Sequence, residues 1–168
     1  MKRIVDAFDY ANVICKALPK GVLLTTACDG KVNTMTIGWG HIGVEWSKPI
    51  FVAYVRESRY THEMLEKSGE FTVNIPLDGC DSKILSICGT KSGRDMDKIA
   101  QLGLDLEESE NVAVPGIRQL PLTLECKVIF KQDQPLEKIP SDIIDRFYPK
   151  GDAHTAYYGQ IVGAYIAE

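Results

Sequence analysis

The dipeptide Asp29-Gly30, which has a strong preference for tight turns, constrains the fold of this chain more than any other feature. Residues 22–28 before it are apolar and β-branched, and residues 31–37 after it alternate roughly with period two. Asp-Gly between two strand-like segments is the strongest short-range sequence signal for a β-hairpin. The chain is therefore predicted to build an antiparallel sheet that contains this hairpin.

Four further segments have the composition of strands. Residues 50–55, which follow Pro49, are almost continuously apolar, and this is typical of a central strand. Residues 122–130 alternate apolar and polar side chains, which predicts a half-buried strand. Residues 71–75 and 157–166 complete a set of about six strands.

Helical segments are fewer and shorter. Residues 60–68 have helical character and are followed by Gly69, a residue type that commonly ends helices. A second helix is predicted at residues 83–88, and a third is predicted to begin at Asp95 and to end near Gly103. The remaining segments are predicted to be an N-terminal arm or short helix at residues 1–20 and a long loop with one short helix at residues 132–151.

Strands and helices do not alternate regularly along the chain, which argues against a doubly wound parallel sheet. Hairpin-like connections favour an antiparallel, barrel-like sheet with appended helices instead. A length of 168 residues fits one domain, since domains typically contain ~100–200 residues. We therefore predict a mainly β, single-domain protein over residues 1–168.

Composition narrows the classes of partner. The net charge of −4 and the pI near 5.4 give no basic surface for nucleic acid, so a phosphorylated ligand would need a local basic pocket. No apolar run approaches the ~18 residues of a transmembrane helix, and no secretory signal is recognised. Five cysteines without a Cys-x-x-Cys spacing are interpreted as reduced thiols, which favours a cytoplasmic protein.

The segment Gly38-Trp39-Gly40-His41-Ile42-Gly43 matches the letters of the dinucleotide fingerprint G-x-G-x-x-G. That motif binds a pyrophosphate only when a helix begins at its end. Here Pro49 follows too closely for such a helix. Glycines that form bulges beside a ligand or a barrel wall are the favoured interpretation.

Two segments are rich in hydrogen-bond donors. Ser58-Arg59-Tyr60-Thr61 leads into the helix predicted at residues 60–68, and the first turn of a helix exposes N–H groups that suit a phosphate. Residues 89–94 contain cations, hydroxyls and glycines that would form the other side of a phosphate pocket. The alternative to phosphate binding at the first segment is simple helix capping by Ser58 or Thr61, with Arg59 in solvent. The alternative for residues 89–94 is a flexible surface loop.

The sequence assigns no metal site and no catalytic nucleophile. His41, His62 and His154 lie far apart, and His62-Glu63 lacks the second histidine of H-E-x-x-H. The G-x-S-x-G motif of serine hydrolases is absent as well. Hydrolytic chemistry therefore has no recognisable basis in this sequence.

Taken in order, these motifs resemble the flavin reductase-like, flavoredoxin-type family of FMN-binding proteins. The resemblance begins in residues 21–40, where Asn33, Met35, Thr36 and Trp39 match the family pattern. It continues through the strand after Pro49 and through residues 59–63, 69–76, 92–98 and 154–155. The first twenty residues match little of the pattern.

The resemblance implies an FMN-binding split β-barrel with antiparallel, Greek-key-like strands, and a homodimer with the flavin near the subunit interface. It also implies three groups of cofactor-binding residues. These are Asn33, Thr34, Met35, Thr36, Ile37, Gly38 and Trp39 at the isoalloxazine and ribityl; Ser58, Arg59, Tyr60 and Thr61 at the phosphate, with Lys91, Ser92 and Arg94 adding donors; and His154 near the ring or the interface.

The resulting expectation is an oxidoreductase that takes a hydride from NAD(P)H and passes electrons through FMN to an acceptor. Flavins perform this chemistry themselves, so no protein base is required, and His154 is the one side chain considered for a catalytic role. The alternative is a flavoredoxin-like electron carrier or flavin-binding module without NAD(P)H turnover of its own. A barrel that binds another phosphorylated ligand, or none, is the third possibility.

Overall fold

An antiparallel sheet of eight strands is the main element of the computed structural model, which describes residues 1–168. Seven strands follow the order β3-β2-β6-β9-β10-β5-β4, and β1 pairs with the far end of β10. Two short strands, β7 and β8, form a separate ribbon. The strands are β1 (Lys2–Ile4), β2 (Val22–Cys28), β3 (Lys31–Ile37), β4 (Gly40–Glu45), β5 (Lys48–Arg56), β6 (Glu70–Ile75), β7 (Leu106–Glu107), β8 (Gly116–Ile117), β9 (Leu122–Asp133) and β10 (His154–Ala167).

Five short α-helices flank the sheet. They are α1 (Ala11–Ala17), α2 (Tyr60–Ser68), α3 (Ser82–Thr90), α4 (Lys98–Leu102) and α5 (Ser141–Phe147). Short 3₁₀ helices precede and follow α1, and another lies before α5. None of the helices is long and apolar enough to cross a bilayer.

The hairpin predicted from Asp29-Gly30 is present as β2 and β3. Both turn residues have positive φ, 52° and 75°, as a tight hairpin turn requires. A second hairpin, β4–β5, was missed by the sequence analysis because its turn is formed by Trp46 and Ser47, at φ 51° and 56°, which are not typical turn residues. The glycine-rich segment 38–43 therefore enters a strand, and no helix follows it.

The main core consists of 22 buried residues, contributed mostly by the strands, and includes Ile14 of α1 and Leu65 of α2. The pairing of β9 with β10 shifts register at Tyr158/Gly159 and at Ile161/Gly163, and such irregularities let long strands bend. A Cβ at Gly159 would lie 2.4 Å from Phe71 Cζ, so the bend depends on a glycine there. The sheet does not close fully and forms a split barrel, which confirms the predicted fold class.

The opposite face of β2 is covered by α3, α4 and the β7–β8 ribbon. Leu23 packs there against a smaller cluster that includes Ile84, Cys88 and Leu120. Two helix predictions needed correction at their limits: α4 is capped by Asp97 rather than by Asp95, and α3 extends to Thr90. The prediction for α2 and Gly69 matches the structure, with Gly69 at φ 65°.

Of the two segments with the weakest sequence signals, only the N-terminal one is more ordered than expected. Residues 1–20 contain β1, α1 and 3₁₀ turns rather than an arm, and Ile14 of α1 is fully buried. The proline-containing segment 132–151 holds α5, as expected for one short helix. The last strand begins at His154, three residues earlier than the apolar pattern predicted.

Candidate functional site

A cleft of about 220 Å³ lies where β3 ends, beside the start of α2 and of β10. Its floor is the backbone of residues 35–39, which leads from β3 into β4. Its walls are the side chains of Tyr54, Arg56, Arg59 and His154. The fold therefore brings three parts of the chain, residues 35–39, residues 54–59 and His154, to one place.

Seven of the residues predicted to bind a cofactor line this cleft: Met35, Thr36, Ile37, Gly38, Trp39, Arg59 and His154. The side chains of Met35 and Ile37 belong to the core, so these two residues offer the cleft their backbone. The hydroxyl of Thr36 donates to the Leu85 carbonyl at 2.7 Å. Gly38 and Trp39 are exposed, so a flat ligand can approach the chain closely here.

Asn33, Thr34 and Thr61 lie outside the lining of the cleft and are buried. Asn33 Nδ2 donates to Thr61 Oγ1 at 3.0 Å, which ties β3 to the first turn of α2. Thr34 Oγ1 pairs with Thr25 Oγ1 at 3.0 Å on the other face of the hairpin. These contacts position the cleft, and a direct contact of the three residues with a cofactor stays a prediction.

Ser58 is engaged by an acidic residue that the sequence analysis did not consider. Asp152 accepts hydrogen bonds from the Ser58 backbone N–H at 3.0 Å and from Ser58 Oγ at 2.7 Å. Asp152 itself has a positive φ of 58° in the turn before β10. It therefore caps the segment that leads into α2, and an anion at Ser58 would compete with this carboxylate.

Arg59 has a defined structural role at the cleft. Its guanidinium donates to the carbonyl oxygens of Gly89 at 2.9 Å and Cys88 at 3.3 Å, which lie at the C-terminal end of α3. A cation is favourable there because helix carbonyls at that end lack partners. Burial lowers the pKa of Arg59, with Asp152 opposing the shift and Arg56 adding to it. The remaining N–H donors of Arg59 are available to the cleft.

Arg56 and Tyr54 are the two wall residues that sequence reasoning missed. Arg56 Nη1 donates to the Asp152 carbonyl and Nη2 to the Phe147 carbonyl, each at 2.9 Å. The guanidinium also lies 5.0 Å from the centre of the Tyr148 ring. A usable signal was present, since Arg56 closes a strand just before the donor-rich turn 58–61. Its position opposite His154 in the β5–β10 pairing could not be seen without the fold.

His154 is buried, with 7% of its surface exposed, and its Nδ1 lies 2.8 Å from Tyr148 Oη. Burial, with the charge of Arg56 as a smaller cause, lowers the pKa of His154 from 6.5 to about 4. The imidazole is therefore neutral at pH 7. Its ring centre is 5.0 Å from that of Trp39, so the two rings form one wall of the cleft.

The donor-rich loop of residues 89–94 contacts the donor-rich segment 58–61 near Tyr60. Arg94 Nη1 donates to the Ser58 carbonyl at 3.1 Å, and the Arg94 guanidinium lies 5.3 Å from the Tyr60 ring centre. Ser92 Oγ accepts from the Arg94 N–H at 3.1 Å, and Lys91 is exposed immediately after α3. The two loops are neighbours, as expected for two sides of one pocket. Lys91, Ser92, Tyr60 and Arg94 nevertheless stand beside the cleft rather than in its lining.

The charge distribution of the cleft suits an anion. Two arginines line it, no carboxylate side chain does, and Arg56 contributes to the lowered pKa of Arg59. Like charges held together destabilise each other, and a bound anion removes that cost. A phosphate would also gain charge-assisted hydrogen bonds from a guanidinium. The donors present therefore fit a phosphorylated ligand that has a flat ring.

A buried cation to which the sequence analysis gave no role of its own lies at this end of α3. Lys98, with 3% of its surface exposed, donates from Nζ to the Cys88 carbonyl at 3.3 Å. Burial lowers the pKa of Lys98 to about 8. Lys98 and Arg59 therefore donate to the same carbonyl oxygen, and the charge of Arg59 contributes to the lowered pKa of Lys98.

Comparison with known proteins defines the class of this fold and site. The profile of the family described as Flavin reductase like domain matches residues 15–168. An uncharacterized protein of Archaeoglobus fulgidus is 34% identical over 121 residues, which cover 72% of this chain and 67% of that protein. The chain therefore belongs to the flavin reductase-like family, which confirms the resemblance found in the sequence.

Solved structures agree with this assignment. Flavoredoxin from Methanosarcina acetivorans is 28% identical and superposes with a TM-score of 0.70, covering 88% of this chain and 68% of that one. An FMN-binding domain of a flavin reductases-like enzyme from Shewanella baltica is 18% identical, with a TM-score of 0.71 over 99% of this chain and 77% of that one. The second likeness shows the shared fold alone. The chain spans about two thirds of the length of the flavoredoxin and of the archaeal relative.

Proposed function

We propose that the cleft binds FMN and that the protein is a flavin reductase-like oxidoreductase that accepts a hydride from NAD(P)H. The observation that carries this proposal is the convergence of Arg56 and Arg59 on a cleft without carboxylates, next to the exposed backbone of residues 35–39. The arginines would bind the phosphate of FMN, and the exposed backbone would face its flat ring. Membership in the family supports the same ligand.

The phosphate is assigned to Arg59 and the first turn of α2, where residues 58–61 and 91–94 supply further donors. Asp152 would have to yield its hydrogen bonds from Ser58 or share them with the phosphate. The isoalloxazine is assigned to the backbone of residues 35–39, with Trp39 and His154 as its wall. FMN, when bound, supplies the hydride and electron chemistry of the reaction.

The residues of the chain bind, orient and tune this group. The positive charge of Arg56, held in place by its bonds to the Asp152 and Phe147 carbonyls, favours negative charge in the cleft. His154 stays neutral above pH 5 because its pKa is about 4, so it contributes a hydrogen-bonding group and no charge. Tyr148 fixes the orientation of His154 through the 2.8 Å contact.

The proposal includes a homodimer, as the resemblance implies, a cytoplasmic location, and a single domain over residues 1–168. Sedimentation of the purified protein at several concentrations tests the oligomeric state. A dimer mass that holds on dilution is expected. A monomer that binds FMN with full affinity would contradict the proposed position of the cleft near a subunit interface.

A second function is favoured by one specific comparison. The chain is 28% identical to a flavoredoxin over 88% of its length. This supports an electron carrier that binds FMN but is reduced by a partner protein instead of by NAD(P)H. Both candidates require the same cleft, so they differ only in the source of electrons.

The decisive experiment has two stages. The purified protein is first titrated with FMN, and saturable binding with one FMN per chain is expected. The loaded protein is then mixed with NADH or NADPH without oxygen, and loss of the oxidised flavin absorbance is expected with one of them. Binding without this loss selects the electron carrier, and a protein that does not take up FMN contradicts both functions.

A further inference from the structure

The carboxylate of Asp152 already uses the donors that a phosphate at the start of α2 would need. Its two oxygens accept from the Ser58 backbone N–H at 3.0 Å and from Ser58 Oγ at 2.7 Å. Backbone N–H groups and hydroxyls at the start of a helix are typical donors to a bound phosphate. A carboxylate of the chain itself therefore makes the hydrogen bonds that the proposed FMN phosphate would make at Ser58.

The negative charge of Asp152 also acts on the walls of the cleft. Burial lowers the pKa of Arg59 and of His154, and in both cases the charge of Asp152 opposes the shift. The arginines of the cleft thus have a counter-charge within the chain. A phosphate that entered beside this carboxylate would be repelled, because like charges close together destabilise each other.

The backbone of the turn that carries Asp152 is held by other contacts. Arg56 Nη1 donates to the Asp152 carbonyl at 2.9 Å, and the Glu57 N–H donates to the Ala153 carbonyl at 3.0 Å. Rotation about the Cα–Cβ bond of Asp152 can therefore release Ser58 while the turn stays in place. At a φ of 58° a glycine would be less strained than an aspartate. The turn itself does not require the carboxylate, which contributes its two hydrogen bonds to Ser58.

We propose that Asp152 is a built-in competitor for the phosphate of FMN and lowers the affinity of the cleft for this ligand. The inference rests on the proposed function, since it needs a phosphate at Ser58. Binding then exchanges one anion for another, because the phosphate takes the donors of Ser58 and the carboxylate turns away. FMN is consequently held less tightly than the donors of the cleft alone would hold it.

Asp152→Gly tests this role, because it removes the carboxylate and suits the left-handed backbone. Calorimetric titration of the purified full-length chain with FMN is expected to give a dissociation constant at least about fivefold lower than that of the unaltered protein. A unit charge about 4 Å away changes a binding constant by roughly this factor even in water. Asp152→Asn, which keeps an acceptor without the charge, is also expected to bind FMN more tightly.

The opposite role would be that Asp152 holds Ser58 in place for the ligand. Removal of the carboxylate would then weaken FMN binding. Circular dichroism of the flavin-free variants is expected to match that of the unaltered protein, so a change in affinity can be read directly. Unchanged or weaker FMN binding by folded Asp152→Gly would overturn the proposal.

Asp29→Gly is the matched control. Asp29 is also an aspartate at positive φ, 52°, in a turn, and its replacement changes the net charge by the same amount. It lies before β3, whereas the cleft lies at the other end of that strand. Its FMN affinity is expected to stay within a factor of about two, since salt screens distant exposed charges. A gain equal to that of Asp152→Gly would indicate a general effect of net charge and refute the local role.

Riboflavin, which has the ring of FMN without the phosphate, shows which part of the ligand responds. Its affinity is expected to differ between Asp152→Gly and the unaltered protein by less than a factor of about two, because it brings no charge to Ser58. A gain for riboflavin as large as that for FMN would place the effect at the ring and overturn the assignment to the phosphate.

The outcome is separable from that of the proposed function. If neither the unaltered protein nor Asp152→Gly binds FMN, the proposed function fails and this inference fails with it. If the unaltered protein binds FMN and Asp152→Gly binds it no more tightly, the inference alone is wrong.

Discussion

Replacement of Arg59 by alanine separates the two roles that the structure gives this side chain. Its bonds to the Gly89 and Cys88 carbonyls, at 2.9 and 3.3 Å, stabilise the end of α3 in the absence of any ligand. Their loss is expected to lower the free energy of unfolding by about 1–2 kcal/mol, since each bond contributes about 0.5–1.5 kcal/mol and one is long. Urea denaturation of the flavin-free protein measures this part.

The second role is binding of the FMN phosphate. A charged hydrogen bond contributes about 1.5–3 kcal/mol, so Arg59→Ala should weaken FMN binding roughly 10- to 100-fold. Arg59→Lys keeps the charge but loses the forked geometry, and an intermediate affinity is expected. Arg3→Ala is the control, since Arg3 lies on the remote strand β1 and its ion pair with Glu168, at 3.2 Å, is exposed.

The measurement can refute the assignment cleanly. If Arg59→Ala lowers stability while the FMN dissociation constant stays within a factor of about two, well under the 1.4 kcal/mol that a tenfold change represents, Arg59 only caps α3. The phosphate would then have to bind elsewhere. FMN affinity is measured at urea concentrations well below the unfolding transition. The variant is then folded, so its affinity can be compared with that of the unaltered protein.

Three further predictions concern the fold and the walls of the cleft. Gly159→Ala would push a Cβ to 2.4 Å from Phe71 Cζ and should cost about 1–3 kcal/mol of unfolding free energy in urea, whereas Gly43→Ala, with open space around it, should be nearly neutral. The pKa of His154 is lowered to about 4, so the unfolded chain binds the extra proton between pH 6.5 and 4. Unfolding free energy should therefore fall by at most about 3 kcal/mol as pH drops through that window, and His154→Gln should remove this part of the slope. Tyr148→Phe deletes the bonds to His154 and Gln134 and should lower the unfolding free energy in urea by about 1 kcal/mol; an unchanged value would show that these bonds do not stabilise the fold.

Local signals in the sequence predicted much of the fold. Asp29-Gly30 and Gly69 mark a turn and a helix end through their own backbone preferences, so neighbouring residues sufficed to identify them. Trp46 and Ser47 adopt positive φ without such a preference, and β4 was missed for that reason. The limit of α4 was misplaced because both Asp95 and Asp97 are acceptable caps.

The candidate site was predicted only in part. The flavin assignment itself came from the family resemblance and not from the residues alone. Glycine content singled out residues 38–43, donor-rich composition singled out Arg59, and the resemblance added residues 33–39. Arg56 and Tyr148 meet His154 only through the pairing of β5 with β10 and the return of the chain after α5. Contacts between residues so distant along the chain have no local signature, so the sequence alone could not reveal them.

The central position of β10 has a consequence for the order in which the site forms during synthesis. This strand pairs with β1, β5 and β9, all of which are synthesised before it. Until residues 154–167 leave the ribosome, β5 and β9 each present an unpaired edge, and His154 is absent from the cleft. A nascent chain that stops before residue 154 should therefore fail to retain flavin, and its exposed strand edges would be sites for chaperone binding or aggregation.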